Sequence, residues 1–248
     1  GARKDELAGL ARAFDSMAEH TEELIQHQRQ RLSDMSHELR TPLTRIEMAV
    51  SLAEQQEGDQ RLLDRIRSEC NGMRQLVEDA LTLSWLGNET PMLRDENLDL
   101  TELIDSIVDD ARFEYPEHRL NLQLPASAQL GHSSHRALGQ AIENIVRNAL
   151  DHTPLGGTVC ISLQQRAQSW LLSVTDQGRG VPGDLLERIF QPFFRVPAGP
   201  GEERSGFGLG LALARRQVQA TGGSLSARNA AGGGLVIDIR LPREELET

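Results

Sequence analysis

The sequence has no run of ~18 consecutive apolar residues, the length a helix needs to cross a bilayer, and no N-terminal secretory pattern. Cysteine is scarce: Cys70 and Cys160 stand far apart without CxxC or Cys/His spacing, so neither a disulfide framework nor a zinc site is indicated. That usage fits a reducing cytoplasm. Basic residues are outnumbered, 26 Lys and Arg against 37 Asp and Glu, for a formal net charge of -11. Sequence-independent nucleic-acid binding rests on clustered cations, so no direct nucleic-acid partner is expected. A GxxxxGK[ST] segment is also missing, which excludes a P-loop. What is left is a globular composition, 38% hydrophobic and 25% charged over 248 residues, with room for one or two domains. The chain starts at Gly1, without methionine and already in helical pattern. It is therefore expected to be the excised soluble portion of a longer protein.

Residues 1 to about 87 carry almost no strand-like alternation, whereas short β-like runs alternate with amphipathic helices after about 98. The shift falls in "GNETPMLRDEN", residues 87–97, which is rich in turn formers. In the first part Leu32, Ser36, Leu39, Leu43, Ile46, Val50 and Ala53 step alternately by four and three, the seam of a helix bundle. A second seam runs from Leu62 through Ile66, Cys70, Met73, Val77 and Ala80 to Ser84, and the polar turn "QQEGDQ" at 55–60 separates the two. Two such stripes predict an antiparallel hairpin that needs a second copy to bury it, hence a homodimeric four-helix bundle. The second part reads as strand "NLDL", helix 101–115, strand "RLNLQL", helix 135–152 and strands near 158–164 and 170–175. A short helix at 184–190, a helix after Gly210 and closing strands "SLSAR" and "LVIDIRL" follow. The expected fold is α+β: the dimeric bundle, then an α/β sandwich with helices on one face of a mixed sheet.

The segment "SHELRTPLTR", residues 36–45, places a histidine beside a packed seam. His37 lies about 100° around the helix from Ser36 and so points outward. Glu38 can accept a proton as the imidazole attacks an electrophile. Pro42 cannot donate to the carbonyl of Glu38, so the helix is expected to bend there. Thr41 shares the face of His37 and offers a hydroxyl that could hold a water.

Three further segments suit a nucleotide. Asn144 and Asn148 in "ENIVRNALDH" are four apart, so their carboxamides share one helical face. Amide oxygens are hard ligands that suit Mg²⁺. In "DQGRG" Asp176 ends an alternating run and can accept the exocyclic amine of adenine, while Gly178 and Gly180 let a base approach the backbone. The loop "GFGLGLALARR", with Gly206, Gly208, Gly210 and Leu211, runs into a helix whose free N–H groups attract anions.

"SHELRTPLTRI" resembles the phosphoacceptor box of bacterial two-component sensor histidine kinases. The N-x-x-x-N helix, the D-x-G-x-G turn, "FQPFFR" at 190–195 and "GFGLGL" follow in the order found in their gyrase-type ATP-binding domain. The similarity runs from about residue 24 onward. It implies that His37 is phosphorylated, that Glu38 is its general base, and that Thr41 helps position the water that hydrolyses a partner's aspartyl phosphate. It also implies that Asn148 coordinates Mg²⁺, Asn144 supports the phosphates, Asp176 selects adenine, and "RVPAGPGEERS" covers ATP. Residues 4–20 resemble the second helix of a HAMP signalling module, which implies a position on the cytoplasmic side of a bacterial inner membrane, below transmembrane and sensor parts absent from this chain. The domains expected are a HAMP-like end at 1–22, the hairpin at 23–87, a linker at 88–98 and the ATP-binding domain at 99–248. The implied partners are a second copy of the chain and the receiver-domain aspartate of a response regulator.

Two features depart from the pattern. Asp151 stands where many relatives carry Lys or Arg facing phosphate, and an acid there is expected to repel ATP unless Mg²⁺ or a nearby cation compensates. Phe207 replaces a small hydroxyl residue within the glycine loop. The histidines of "HSSH", 132–135, flank two serines that are expected to cap a helix. Three other readings stay open: a gyrase-type ATPase that drives clamp closure, a non-enzymatic dimeric scaffold with a decayed pocket, and a protein acting chiefly as a phosphatase through Thr41.

Overall fold

The computed structural model describes residues 96–197 and 207–243, together with 42–46, 48, 50, 66, 67, 70–74, 76–79 and 82. His37, Glu38, Thr41, Gly206, the turn at 55–60, residues 198–205 of the covering segment and the HAMP-like helix lie outside the described residues. The chain divides into two compact units, 1–75 and 76–248.

In the first unit every described residue is helical, as the seam predicts. Pro42 is buried, whereas Leu43 and Val50, both on the first seam, are 48% and 41% exposed in the single chain.

The second unit contains a sandwich built from the short strand β1 (Glu96–Asp99), helix α1 (Leu100–Glu114), β2 (Arg119–Gln123) and β3 (Gln129–Ser133). Helix α2 (His135–His152), β4 (Thr158–Arg166), β5 (Ser169–Thr175), α3 (Gly210–Ala220), β6 (Ser224–Asn229) and β7 (Leu235–Pro242) complete it. Five strands form one sheet in the order β2-β4-β5-β7-β6, with β2 and β4 parallel and the other neighbours antiparallel. Val159, Ile161 and Leu163 alternate with less buried residues on β4, as do Trp170, Leu172 and Val174 on β5. This period of two turns one apolar face inward. The helices cover that face, and α2 presents the broadest stripe, from Ala137 and Leu138 to Ala149 and Leu150.

Local chemistry sets the helix starts. Asp99 accepts from Thr101 N at 2.8 Å and so caps α1. Ser134 accepts from Ala137 N at 3.3 Å and caps α2. The carboxylate of Asp99 also receives Ser127 Oγ, Ala128 N and Gln129 Nε2 at 2.6, 3.0 and 2.8 Å, which ties α1 to the segment leading into β3.

Several expectations need correction. The first strand begins at Glu96 and ends at Asp99, because the cap starts the helix at Leu100. In place of one helix at 184–190 there are two 3₁₀ turns, Gly183–Leu185 and Arg188–Phe190. Strand β3 was not anticipated. It pairs with β1 as a two-stranded sheet, so Ser133 ends a strand and Ser134 alone is the cap.

Candidate functional site

Asp176 follows the last residue of β5 and is only 4% exposed. Its N–H donates to the carbonyl of Leu235 at 3.0 Å, and Leu235 N–H donates back to Asp176 Oδ1 at 3.0 Å. Gly178 N–H donates to the same oxygen at 2.8 Å. Among the described residues no hydrogen bond ends on Oδ2, so one carboxylate oxygen is held by protein and the other is left for a donor. A buried carboxylate with an acceptor to spare selects for an N–H group in a ligand.

The turn after Asp176 lies against the end of α2. A Cβ on Gly178 would come 2.7 Å from the carbonyl oxygen of His152, so no side chain fits there. Thr153, buried after the last turn of α2, donates from Oγ1 to Ala149 O at 2.7 Å and accepts Gln177 N–H at 3.4 Å. His118 Nε2 lies 3.1 Å from Thr153 O; a carbonyl only accepts, so this nitrogen carries the proton. Gly180, φ +72°, packs against the side chain of Asn229.

Asn144 and Asn148 are half-buried on α2, and among the described residues neither carboxamide is hydrogen bonded. Asn144 faces the start of α3: a Cβ on Gly210 would lie 3.8 Å from its Oδ1. No side chain caps α3, because its N-cap is Leu209. First-turn N–H groups without a side-chain acceptor are available to an anion. Gly208 has φ +73°, and a Cβ there would come 2.9 Å from Phe194 O, so the approach of "FQPFFR" to the glycine loop requires glycine. Phe193 N–H closes this contact by donating to Gly208 O at 2.9 Å. Leu211 is half-buried and packs against the core.

The structure thus gathers Asn144, Asn148, Asp176, Gly178, Gly180, Gly208, Gly210 and Leu211 along α2 and the two segments that flank it. Asp151 has a partner within the protein. Its Oδ1 accepts the Tyr115 hydroxyl at 2.9 Å, and beside it Arg147 on the same helix pairs with Glu114 at 2.8 Å. Burial and then the neighbouring Asp151 carboxylate push the Tyr115 hydroxyl up to about 12. The acid is engaged by the end of α1.

Comparison with known proteins defines the class first. Residues 133–245 match the family described as histidine kinase-, DNA gyrase B- and HSP90-like ATPases, and residues 27–89 match the His kinase A phospho-acceptor domain. Sensor protein PfeS of Pseudomonas aeruginosa is 39% identical over 97% of this chain and 53% of its own length. The mycobacterial sensor histidine kinase MprB is 30% identical, with a TM-score of 0.54 over 61% of this chain and 99% of that structure. Histidine kinase AdeS of Acinetobacter baumannii shares the fold, with 23% identity and a TM-score of 0.69 over 84% of this chain and 98% of its own. The chain belongs to the bacterial two-component sensor histidine kinases. It spans about half the length of the curated relatives it matches.

Sequence reasoning missed the residues that hold the Asp176 turn: Thr153, Asn229, Gly234 and Leu235. The glycines of "NAAGGGL" mark a tight turn, but nothing in their spacing says what it holds.

Proposed function

We propose that the chain binds Mg·ATP in the sandwich and transfers the γ-phosphoryl group to His37. The observation that carries this reading is the pairing of unspent ligating groups, Asp176 Oδ2 and the carboxamides of Asn144 and Asn148, with an uncapped helix start at Gly210. Asp176 accepts the exocyclic amine of adenine. The Gly208–Gly210 loop donates N–H groups to phosphate. The donor set fits Mg²⁺, since amide oxygens are hard and uncharged, and Asn148, with Asn144 beside it, is the residue proposed to hold it. Bound there, the ion supplies neutralisation of phosphate charge.

In the transfer step a neutral ring nitrogen of His37 attacks the γ-phosphorus, the bond to the β-γ bridging oxygen breaks, and ADP departs with that electron pair. Glu38 accepts the proton from the ring. Most of the catalysis is placement and charge, because the transition state is loose. The phosphoryl group then passes to an aspartate of a response regulator, and Thr41 orients water for the reverse control, hydrolysis of that aspartyl phosphate.

Exposure of Leu43 and Val50 in the single chain supports a second copy on the seam, hence a homodimer. Among the described residues no helix is long and apolar enough to cross a membrane. A place on the cytoplasmic face of the inner membrane, below a HAMP module at 1–22, is part of the proposal. So is the division into a hairpin at 23–87, a linker at 88–98 and a catalytic domain at 99–248. The hydrogen bond from Tyr115 to Asp151 leaves the reading of a dimeric scaffold with a decayed pocket in place, and failure to bind a fluorescent ATP analogue in Mg²⁺ would favour it.

Incubation with γ-labelled ATP and Mg²⁺ tests the reading. Alkali-stable, acid-labile label on the wild type that vanishes in His37→Ala is the expected result. Undiminished ATP turnover in His37→Ala, without such label, would favour a gyrase-type ATPase.

A further inference from the structure

The loop from Asp176 to Val181 is gripped at both ends by a single rung of the β6–β7 hairpin. Asn229 and Leu235 are cross-strand partners, joined by the turn Ala230–Gly234, in which Ala230 N–H donates to Gly234 O at 3.0 Å. Leu235 holds the Asp176 end through two bonds of 3.0 Å each. Asn229 holds the other end: its Oδ1 accepts Val181 N–H at 2.9 Å and its Nδ2 donates to Val181 O at 2.7 Å. A primary amide that meets both groups of one residue imitates a strand neighbour. Val181 lies beyond the strands, so this side chain supplies the pairing that β5 no longer provides. The same side chain packs beside Gly180, and with Gly180, Val181, Pro182, Val196 and Pro197 it lines a cavity of about 420 Å³.

We infer that Asn229 is a positioning residue of the nucleotide site, setting the Gly178–Gly180 backbone at the distance from which it meets the base. The inference rests on the reading of Asp176 as the adenine acceptor. Asn229 touches the loop and not the reacting atoms, so it acts on affinity. Alanine removes both bonds, whereas aspartate keeps the acceptor for Val181 N–H and sets an oxygen against Val181 O.

Hydrogen exchange at the Val181 amide and equilibrium titration with ATP in Mg²⁺ test this on the whole chain. Asn229→Ala is expected to lose protection at Val181 and to raise the ATP Kd about fivefold to tenfold, tenfold being 1.4 kcal/mol, at unchanged stoichiometry. Asn229→Asp is expected to fall between alanine and wild type. A merely unfolded fraction lowers stoichiometry and leaves Kd alone, so the two roles separate. Protection retained in Asn229→Ala, or an unaltered Kd once protection is lost, overturns the inference. Asp176→Asn that binds ATP as the wild type does overturns instead the reading of the site on which it rests.

Discussion

A methyl group on Gly234 would fall inside the carbonyl oxygen of Asp176, and the backbone there is left-handed at φ +92°. The turn that precedes β7 is therefore in van der Waals contact with the residue proposed to read adenine. Gly232, two residues earlier, has nothing within 4 Å of a would-be Cβ. Gly234→Ala combines overpacking with backbone strain and is expected to cost about 3 kcal/mol, while Gly232→Ala stays within about 0.5 kcal/mol of wild type. Denaturant unfolding of the two variants side by side decides it. Equal midpoints would mean that the β6–β7 turn does not constrain Asp176.

Tyr115 is the one tyrosine of the chain, so tyrosinate absorbance reports it alone. Burial first, and the Asp151 carboxylate second, raise its hydroxyl from 10.0 to about 12. The neutral form is the one the fold favours. Its stabilising contribution is thus complete below pH 10 and is lost as pH rises toward 12. Asp151→Asn is expected to move the absorbance midpoint part of the way back, since burial persists. Tyr115→Phe should cost about 1 kcal/mol at neutral pH. A midpoint unmoved by Asp151→Asn would contradict the pairing.

Asp99 gives the opposite sign. Burial works against its charge, yet hydrogen bonds from Ser127, Ala128 and Thr101 outweigh that and hold the carboxyl below its ordinary 3.8. Stability from this group is present above that value and is lost as pH falls through the lower folded value. Asp99→Asn keeps an acceptor for the cap but sets an amide NH₂ against the donors Ser127 and Gln129, and is expected to cost about 1–2 kcal/mol at pH 7. The gap to wild type should narrow in acid. A constant difference across a series of acid melts would show that charge plays no part.

How much of this was legible depended on whether the signal was local. Helix α2 is delimited by the serine at 134 and by an apolar stripe of period 3.6, both visible in the sequence, and it spans 135–152 as predicted. The alternation on β4 and β5 was equally readable, because one face of the sheet is buried. Strand β3 escaped because "QLGHS" offers only one strongly buried apolar residue, Leu130, and pairs with a strand some thirty residues earlier. At the candidate site, the placement of Asn144 and Asn148 on one helix and of Asp176 at the end of a strand was legible from spacing. The groups that hold the Asp176 turn were not: Thr153, Asn229, Gly234 and Leu235 meet there through tertiary packing, and Asn229 is 48 residues from Val181. The partner of Asp151 was hidden for the same reason, since Tyr115 follows the end of another helix, 36 residues away.

Thr153 joins the two halves of the site in a way that a single oxygen atom can test. Its hydroxyl donates to Ala149 O and accepts the N–H of Gln177, the residue after Asp176, so the end of the Asn144–Asn148 helix and the Asp176 turn share one group. Valine has the same shape without the hydroxyl. In Thr153→Val the carbonyl of Ala149 keeps a bond from Thr153's own backbone position at 3.1 Å, but Gln177 N–H loses its acceptor. The bond is long at 3.4 Å and Gln177 is exposed, so the expected cost is about 0.5–1 kcal/mol, the low end for a single hydrogen bond. Because the loss falls at Gln177, the ATP Kd should rise along with the fall in thermal midpoint, and Thr153→Ser should restore both. Should valine lower the midpoint and leave ATP affinity untouched, the hydroxyl serves only to end α2, and the coupling of helix to turn lies in the close packing of Gly178 on His152.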